Sequence, residues 1–494
     1  MLFIFAGNLS IAGNAPLLPE SSPFSPETLL SRWSVKKANF IIMEKLSKLE
    51  ACSLLQSKGS FVDNSDRISN LPNHIAHHIL SFLTMENIAR LSVVSKWWQE
   101  LCISIPSLTL NVDGRRYKGK DFKLIYFKNF LDRLMLRRNG MKMVQFCVHW
   151  TFPDWHSEEY RFLTWLHDAV RSNVEVLYLD LCIFRRGTFH MPLCVLHCES
   201  LRFLTVSLFG GVLQLPSSTG FKKLQSLSLT HVRVLDDLFV ERVLSSCNSL
   251  DKLCLHGVNG TNNISIQSSS LKYLEITSYM HNDLFHVNVS GELLEELIIC
   301  WKFFPSGGRS LKIATPHLKC FTWGGFAPDN YFLGNLKCLR SCALSLEQLS
   351  SSWRPPHMEY FQFLEGIKDL VIQFPCLQAL YEAGMLPIPL KHVHTLRINF
   401  TDSDYDNLVP AMALLLKGAA KALDKIKFLS LTRKEILGKG KNTEPDIQIK
   451  LDKEKKILSI CDRGIGMTKD DLIKNLGIIA KSGTSVFGEK TQTS

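Results

Sequence analysis

The chain has 494 residues, of which 46% are apolar and 21% are charged, and its net charge is +11 at pH 7. This balance excludes an intrinsically disordered chain, and the length predicts two or three domains or one solenoid with attached segments. No window holds the roughly 20 consecutive apolar residues of a membrane-spanning helix, so no membrane partner is expected. Fourteen cysteines lack the paired spacing of a disulfide framework, which favours a reducing compartment, the cytoplasm or the nucleus.

The first sixty residues contain few periodic apolar positions. Residues 1–60 mix Pro, Ser and Gly with little regular spacing, and they are predicted to form a flexible leader. The apolar start is not preceded by a basic segment, which makes it a weak signal peptide.

A basic stretch lies further along the chain. It comprises Arg115, Arg116, Lys118, Lys120, Lys123, Arg133, Arg137 and Arg138. No nucleic-acid-binding module accompanies these side chains, and a run of charges more often forms a solvated face than a phosphate-binding patch. We therefore expect a solvated face here and no nucleic-acid partner.

Residues 66–101 read DRISNLPNHIAHHILSFLTMENIARLSVVSKWWQEL and contain two amphipathic stretches. Leu71 and Pro72 predict the start of a helix, because proline is tolerated in the first helical turn. Apolar residues then recur at helical spacing at Ile75, Ile79, Leu80 and Leu83. After a break at 84–87, a second stripe is formed by Ile88, Leu91, Val94 and Trp98. Such short helices need a partner or a neighbouring domain to cover their apolar faces.

This segment resembles the F-box, whose Leu-Pro, Ile-Leu and Ser-Lys-x-Trp elements occur here in the family's order and spacing. Trp97 departs from the pattern, since related plant proteins usually have Arg there. The resemblance implies that a Skp-type adaptor binds residues 66–110 and links the chain to a cullin–RING ubiquitin ligase. The implied adaptor-binding residues are Leu71, Pro72, Ile75, Ile79, Leu80, Leu83, Leu91, Val94 and Trp98. The alternative is an ordinary helical hairpin in a larger core.

A strand template, L-x-x-L-x-L, recurs in the following part of the chain. It begins at Val174, Leu201, Leu224, Leu250, Leu271, Leu294, Leu318 and Leu339. The intervals of 21 to 27 residues lie within the range typical of leucine-rich repeats. Each repeat supplies one strand that cannot bury its own apolar face, so neighbouring repeats are expected to stack into a solenoid. The leucines predicted to point inward are Leu227, Leu229, Leu253, Leu255, Leu274 and Leu297.

The region from 170 to 418 as a whole resembles the repeat region of plant F-box proteins. That resemblance implies that the concave face binds a target protein, whose identity the sequence does not give. No nucleophile, base and oxyanion donor occur at catalytic spacing, so no catalytic residue is expected. Cys194, His197 and Cys198 suggest a metal, but no second ligand pair follows at zinc spacing, and no metal site is expected. A β-sandwich of unrelated strands is the alternative to the solenoid.

From Ala422 the chain changes in character. The pattern predicts a helix, then a loop rich in Lys and Gly, then a hairpin whose two antiparallel strands are DIQIKLD and ILSICD. The hairpin ends at Asp462, where the motif DRGIGM begins.

This tail, residues 422–494, resembles the nucleotide-binding domain of the heat-shock protein 90 chaperones, nearest to their endoplasmic-reticulum branch. The resemblance implies a nucleotide pocket formed by Asp462, Gly466, Met467, Asn475 and Lys481. The family's catalytic Glu and magnesium-binding Asn correspond to Leu414 and Gly418, and its Gly-rich phosphate segment is not reached by Ser494. We therefore expect a vestigial site that binds ATP weakly, requires no cofactor and does not hydrolyse ATP.

The expected fold class is therefore α+β. F-box helices precede a leucine-rich-repeat α/β solenoid, and a truncated α/β ATPase fragment of the GHKL type follows. The expected function is that of a non-enzymatic substrate receptor of an SCF-type ubiquitin ligase. Two alternatives stay open, namely an ATP-binding chaperone fragment and a repeat scaffold without a ligase role.

Overall fold

The structure is a computed structural model in which the chain divides into two compact units, Met1–Ile105 and Pro106–Ser494. The described residues are 71–112, 121–152, 154–183, 187–216, 220–279, 283–303, 307–346, 363–382, 384, 386, 388, 390–400, 408–419, 423, 425–430, 446–452 and 457–462. The predicted leader, 1–60, lies outside them. None of the helices in these ranges is long and apolar enough to cross a membrane.

Within residues 71–105, the described part of the first unit, the chain forms three helices. They are α1 (Asn73–Ser81), α2 (Met85–Leu91) and α3 (Lys96–Ile103). Pro72 is the N-cap residue of α1, as its place in the sequence predicted. The prediction of one continuous apolar stripe after residue 87 is wrong, because the helix ends at Leu91 and a new helix begins at Lys96.

Two hydroxyl caps explain the extra break. The Thr84 side chain accepts from the backbone N–H of Asn87 at 3.4 Å and starts α2. The Ser95 side chain accepts from the backbone N–H of Trp98 at 3.3 Å and starts α3. A cap of this kind satisfies one of the unpaired donors of the first helical turn. Ser95 therefore fixes a new helix start where apolar spacing alone predicts continuity.

The second unit is organised around one long sheet. In the described chain it contains fifteen strands in the order β1-β2-β3-β5-β7-β8-β10-β12-β14-β16-β17-β18-β19-β20-β21. The eight strands at the predicted template positions are β3 (Val176–Ile183), β5 (Phe203–Phe209), β7 (Ser226–Thr230), β8 (Lys252–His256), β10 (Tyr273–Ser278), β12 (Glu296–Trp301), β14 (Cys320–Gly325) and β16 (Ser341–Leu346). Each begins two residues after its template start, and adjacent strands pair in parallel. The stacked-repeat prediction is confirmed.

The inward positions of these strands form continuous apolar rows. Leu227 pairs with Leu253, which pairs with Leu274, which pairs with Leu297. A second row contains Leu229 and Leu255. All six leucines predicted to point inward are at most 3% exposed. Because the strands are parallel and in register, each leucine packs on its counterparts in the neighbouring repeats, and the rows form one core.

The sheet extends beyond the predicted repeats in both directions. Before them lie β1 (Ser107–Val112) and β2 (Gln145–Phe152), and after them lie β17 (Asp369–Gln373), β18 (Thr395–Phe400) and β19 (Lys425–Ser430). Strand β1 pairs with β2 and β2 with β3, both in parallel. Residues 106–110, predicted as the end of the F-box, thus fall in the second unit. The sheet also begins well before residue 170, the predicted start of the solenoid.

The segments that connect the strands are partly helical. The helices are α4 (Asp121–Arg138), α5 (Trp155–Arg171), α6 (Leu193–Leu196), α7 (Phe239–Ser246), α8 (Phe374–Glu382) and α9 (Leu408–Ala419). From β8 to β16, the connecting segments contain strands instead of helices. These strands are β9 (Asn263–Gln267), β11 (His286–Ser290), β13 (Ser310–Ala314) and β15 (Asn330–Leu333). These four pair in parallel as a second sheet, and β4 (Thr188–His190) pairs with β6 (Val212–Gln214). The α/β prediction is therefore wrong for the middle repeats.

The composition of these connections explains the difference. NISIQ and HVNVS alternate polar and apolar residues with β-branched side chains, which favours strands over helices. Each short strand finds a partner at the same point of the next repeat. In the short middle repeats, the template strands therefore form one sheet and the connecting strands form a second sheet.

Arg138, at the end of α4, corrects the prediction of a fully solvated basic face. Its side chain is 1% exposed, and its guanidinium donates to the carbonyl of Lys142 at 3.2 Å. Burial lowers the pKa of Arg138 to about 10. Arg133 and Arg137 are exposed, as predicted. The predicted positions Arg115 to Lys120 lie outside the described residues.

The tail pairs with the solenoid sheet. Strand β19 pairs in parallel with β18, and β20 (Asp446–Asp452) follows in antiparallel orientation. The predicted hairpin is confirmed, since β20 pairs antiparallel with β21 (Ile457–Asp462). The helix predicted from Ala422 is wrong for residues 425–430, which form β19. Pairing with β18 on one edge and with β20 on the other offers that segment backbone hydrogen-bond partners, and these contacts override its local helical pattern.

Candidate protein-interaction surfaces

The nine predicted adaptor-binding residues divide into three groups by exposure. Pro72, Ile75 and Val94 are exposed, with Ile75 at 41% and Val94 at 54%. Leu71, Ile79 and Trp98 are half-buried. Leu80, Leu83 and Leu91 are buried. The buried leucines stabilise the helices, so direct contact with a partner is left to the exposed and half-buried residues.

Two further apolar side chains are accessible on the same helical unit. Phe82 is 40% exposed and Val93 is 84% exposed. Neither was among the predicted contact residues. Val93 lies in the short segment between α2 and α3, and the second break of the helix, which Ser95 fixes, is what leaves it exposed. An apolar side chain held in water favours burial against a partner.

The helical unit has its own internal contacts. The thiol of Cys102 donates to the carbonyl of Ile88 at 3.6 Å and joins α3 to α2. The imidazole Nε2 of His77 lies 3.0 Å from the hydroxyl oxygen of Ser104 and joins α1 to the end of α3. These contacts hold the three helices in one arrangement, which fixes the positions of the exposed apolar residues.

The second candidate surface is the face of the main sheet opposite the leucine rows, here called the open face. Along β2 and β3 it presents His149, Tyr178 and Asp180. The imidazole Nδ1 of His149 lies 3.1 Å from a carboxylate oxygen of Asp180, and its ring centroid lies 5.0 Å from that of Tyr178. A carboxylate oriented in this way fixes the histidine ring.

Three aromatic rings follow one another across the carboxyl ends of the strands. Phe209 and His231 have ring centroids 4.5 Å apart, and His231 stacks on Tyr279 at 5.5 Å with an 18° interplanar angle. His231 has a positive φ of 51°. Burial, then the nearby His256, lowers the pKa of His231, which favours the neutral ring. Aromatic side chains with polar atoms are enriched at protein interfaces because they supply large contact area with little conformational freedom to lose.

A polar cluster occupies the open face between β8 and β10. The Tyr273 hydroxyl donates to Oε2 of Glu275 at 2.8 Å, and the Lys252 ammonium lies 4.1 Å from the centroid of the Tyr273 ring. The Cys254 thiol and the His256 imidazole both lie near Glu275. Burial raises the pKa of Cys254 to about 11, and burial together with Glu275 raises the pKa of Tyr273.

The cysteines considered for a metal in the sequence are arranged differently. Cys198 Sγ donates to the carbonyl of Val174 at 3.8 Å and lies 3.2 Å from the hydroxyl oxygen of Ser200. In the described chain, the group whose ligand atoms converge is instead Cys254, His256 and Glu275. Sequence spacing did not reveal it, because β8 and β10 are joined through a separate strand and become neighbours only in the sheet.

Of the five residues of the implied nucleotide pocket, the structure describes Asp462, which is the last residue of β21. Gly466, Met467, Asn475 and Lys481 lie outside the described residues. Leu414 and Gly418, the positions of the family's catalytic Glu and magnesium-binding Asn, both belong to α9.

Gly418 packs tightly against the neighbouring backbone. A Cβ atom at this position would overlap the carbonyl oxygen of Ile388. The carbonyl of Gly418 also accepts from the backbone N–H of Leu390 at 3.2 Å. Position 418 therefore has no room for the asparagine that the chaperone family uses to bind magnesium.

Two stretches of the chain match known protein families. Residues 68–109 match the family described as F-box-like. Residues 162–382 match the family described as "FBD-associated F-box protein At5g56370, LRR repeats". The first stretch is thus similar to an F-box and the second to leucine-rich repeats. The resemblance predicted for these regions is confirmed.

A curated relative is named for an F-box and leucine-rich repeats. The chain is 30% identical over 322 residues to the "Putative F-box/FBD/LRR-repeat protein At4g03220" of Arabidopsis thaliana. That alignment covers 61% of this chain and 60% of the relative. A plant F-box protein is therefore similar to about three fifths of this chain.

A second group of relatives matches a short stretch. The chain is 67% identical over 93 residues to the endoplasmin homologue of Catharanthus roseus, which covers 19% of this chain and 11% of that protein. It is 53% identical over 85 residues to the chaperone protein HtpG of Campylobacter jejuni, which covers 17% of this chain and 14% of that protein. The resemblance predicted for the tail is confirmed, and the matches span about a tenth of each chaperone's length.

Proposed function

We propose that this protein is the substrate-recognition subunit of an SCF-type ubiquitin ligase in the cytoplasm or nucleus. An F-box implies a Skp-type adaptor as a partner, and through the adaptor a cullin. The observation that supports the proposal is the presence of both an F-box with accessible apolar side chains and a repeat sheet with an open face on one chain. One unit binds the ligase, and the other binds the target.

The open face is suited to binding a protein target. It presents tyrosine, histidine and phenylalanine rings beside carboxylates and a lysine, on strands held in register by the leucine rows. Aromatic anchors surrounded by polar groups are the usual composition of a protein-binding surface. The chain itself catalyses no covalent step in this proposal, because it positions the target for the ligase.

A double substitution tests target binding separately from adaptor binding. We expect His231→Ala with Tyr279→Ala to remove the stacked rings and to lower target ubiquitylation at least about tenfold, since each lost anchor typically costs more than 1 kcal/mol. Adaptor binding should not change. The measurement is quantitative mass spectrometry of ubiquitylated proteins that depend on this chain in plant cells.

Tyr160→Ala is the matched control, because Tyr160 is an aromatic residue of α5 that is 84% exposed. It should leave both adaptor binding and target ubiquitylation unchanged. Equal ubiquitylation in the double variant and in the control would place target recognition elsewhere and contradict the proposal.

The second candidate function is that of a nucleotide-binding chaperone fragment, and the 67% identity with endoplasmin favours it. We expect no ATP hydrolysis from it. Leu414 cannot act as the general base, whose loss alone costs about 10²–10⁴-fold in rate. Magnesium cannot be held at 418, where the backbone of Ile388 excludes a side chain. Nucleotide affinity should therefore be weak and independent of magnesium.

Asp462→Asn is the variant that checks this expectation. ATP turnover and magnesium-dependent affinity should be measured for the purified full chain and for the variant, by a phosphate-release assay and isothermal titration. Turnover by the full chain that disappears in Asp462→Asn would show that other residues complete the pocket, and it would place the chaperone function ahead of the receptor function.

A further inference from the structure

Three metal-ligating side chains from two adjacent strands converge on the open face. Cys254 and His256 belong to β8 and Glu275 belongs to β10. In the parallel register Cys254 is directly opposite Glu275, and His256 lies on the same face two residues further on. The thiol sulfur, an imidazole nitrogen and a carboxylate oxygen all lie within 4.8 Å of one another.

The spacing of these atoms is that of ligands around one small cation. Cys254 Sγ lies 3.9 Å from Oε2 of Glu275, and His256 Nδ1 lies 3.9 Å from Oε1. Zinc binds sulfur at about 2.3 Å and nitrogen or oxygen at about 2.1 Å, so tetrahedral geometry sets its ligand atoms about 3.4–3.6 Å apart. Both measured separations exceed these values by a few tenths of an ångström, and the sulfur and the imidazole nitrogen lie within 4.8 Å of each other, so small side-chain movements bring the three ligands together on an ion.

The histidine and the glutamate converge without a hydrogen bond between them. Their 3.9 Å separation exceeds the roughly 3.2 Å limit of an N–H···O hydrogen bond. The imidazole of His256 and Oε1 of Glu275 thus face one another across a gap in a half-buried part of the sheet, with 25% and 24% of the side chains exposed. The space between them matches a ligand that both can bind at once.

A neighbouring residue orients the carboxylate. The Tyr273 hydroxyl donates to Oε2 of Glu275 at 2.8 Å, which leaves Oε1 directed toward His256. Metal-binding carboxylates are commonly held by such a second hydrogen bond. The backbone of His256 is also fixed, since its carbonyl accepts from the N–H of His231 at 2.7 Å.

We propose that Cys254, His256 and Glu275 bind one divalent cation of the zinc class on the open face of the repeat sheet. Thiolate, imidazole and carboxylate are the three side-chain ligands of zinc, and the two anionic ligands balance its charge. Three protein ligands would leave the fourth position of a zinc ion to a water molecule. The proposal rests on the cluster alone and does not depend on the receptor function.

Cobalt substitution of the purified full chain tests the site. Co²⁺ should bind with a stoichiometry of one at this site and show the intense visible bands of tetrahedral coordination together with a sulfur-to-cobalt charge-transfer band. Excess zinc should abolish these bands. Cys254→Ser should remove the charge-transfer band, and His256→Gln should weaken cobalt affinity at least about tenfold. Tyr273→Phe should weaken affinity about 10- to 100-fold and retain the sulfur band.

Cys182→Ser is the matched control, because Cys182 is a half-buried thiol on β3, outside the cluster. It should leave the bands and the affinity unchanged. Circular dichroism identifies any variant that fails to fold. If Cys254→Ser does not fold, His256→Gln tests the site instead, because the His256 side chain is partly exposed and its substitution should be tolerated. Absence of the charge-transfer band in the unmodified chain, or its persistence in folded Cys254→Ser, would overturn the proposal.

Discussion

Leu253→Ala is expected to lower the free energy of unfolding by about 2–5 kcal/mol, through lost burial and the cavity left behind. Leu253 is 1% exposed and lies in the row between Leu227 and Leu274. Neighbouring repeats cannot collapse into the cavity, because the backbone hydrogen bonds of the parallel strands hold their spacing. Equilibrium denaturation in urea measures the change.

Lys252→Ala is the control, one residue away on the same strand. The Lys252 side chain is exposed, and its ammonium lies 4.1 Å from the Tyr273 ring centroid. Losing that contact at an exposed site should cost only about 0.5–1 kcal/mol. Equal destabilisation by the two substitutions would show that the strand does not point its leucines into the core in this register.

Ile75→Glu and Val94→Glu, made together, are expected to abolish binding of a Skp-type adaptor. Both side chains are apolar and exposed, Ile75 on α1 and Val94 in the turn between α2 and α3. A carboxylate without a partner in an apolar interface costs on the order of several kcal/mol, which is at least a hundredfold in affinity. The measurement is the dissociation constant of the purified chain for the adaptor.

The choice of these two positions follows from their exposure. Leu80 belongs to the same sequence motif but is fully buried, so Leu80→Glu would unfold the helices and would lose the adaptor for a trivial reason. Leu136→Glu is the matched control, since Leu136 is 78% exposed on α4 of the second unit. Adaptor affinity that survives the double substitution in a folded protein would refute the assignment of this surface.

The F-box shows how far a motif predicts a surface. Its order of residues matches an F-box, yet the same motif contains both buried and exposed positions. Leu80 and Ile75 differ by five residues, so they lie on different faces of α1, and only packing decides which face is covered. The cap at Ser95 likewise begins a new helix at a place where the apolar spacing alone predicts one continuous stripe.

The sequence determined the eight template strands of the repeats and the side chains that they bury. A strand whose alternate residues are apolar can bury them only against copies of itself, so the template starts predicted both the strands and their inward leucines. The hairpin of β20 and β21 was predictable for a similar reason, because its alternation and its turn are local.

Contacts between distant residues required the tertiary structure. Segment 425–430 became a strand because β18 offered it backbone partners. Position 418 has no room for a side chain, because a Cβ atom there would overlap the carbonyl oxygen of Ile388, thirty residues away. Cys254 and Glu275 face each other only because β8 and β10 lie side by side, with the intervening strand in another sheet. Local sequence sets which face of a strand a side chain occupies, whereas the stacking of repeats decides which side chain it meets there.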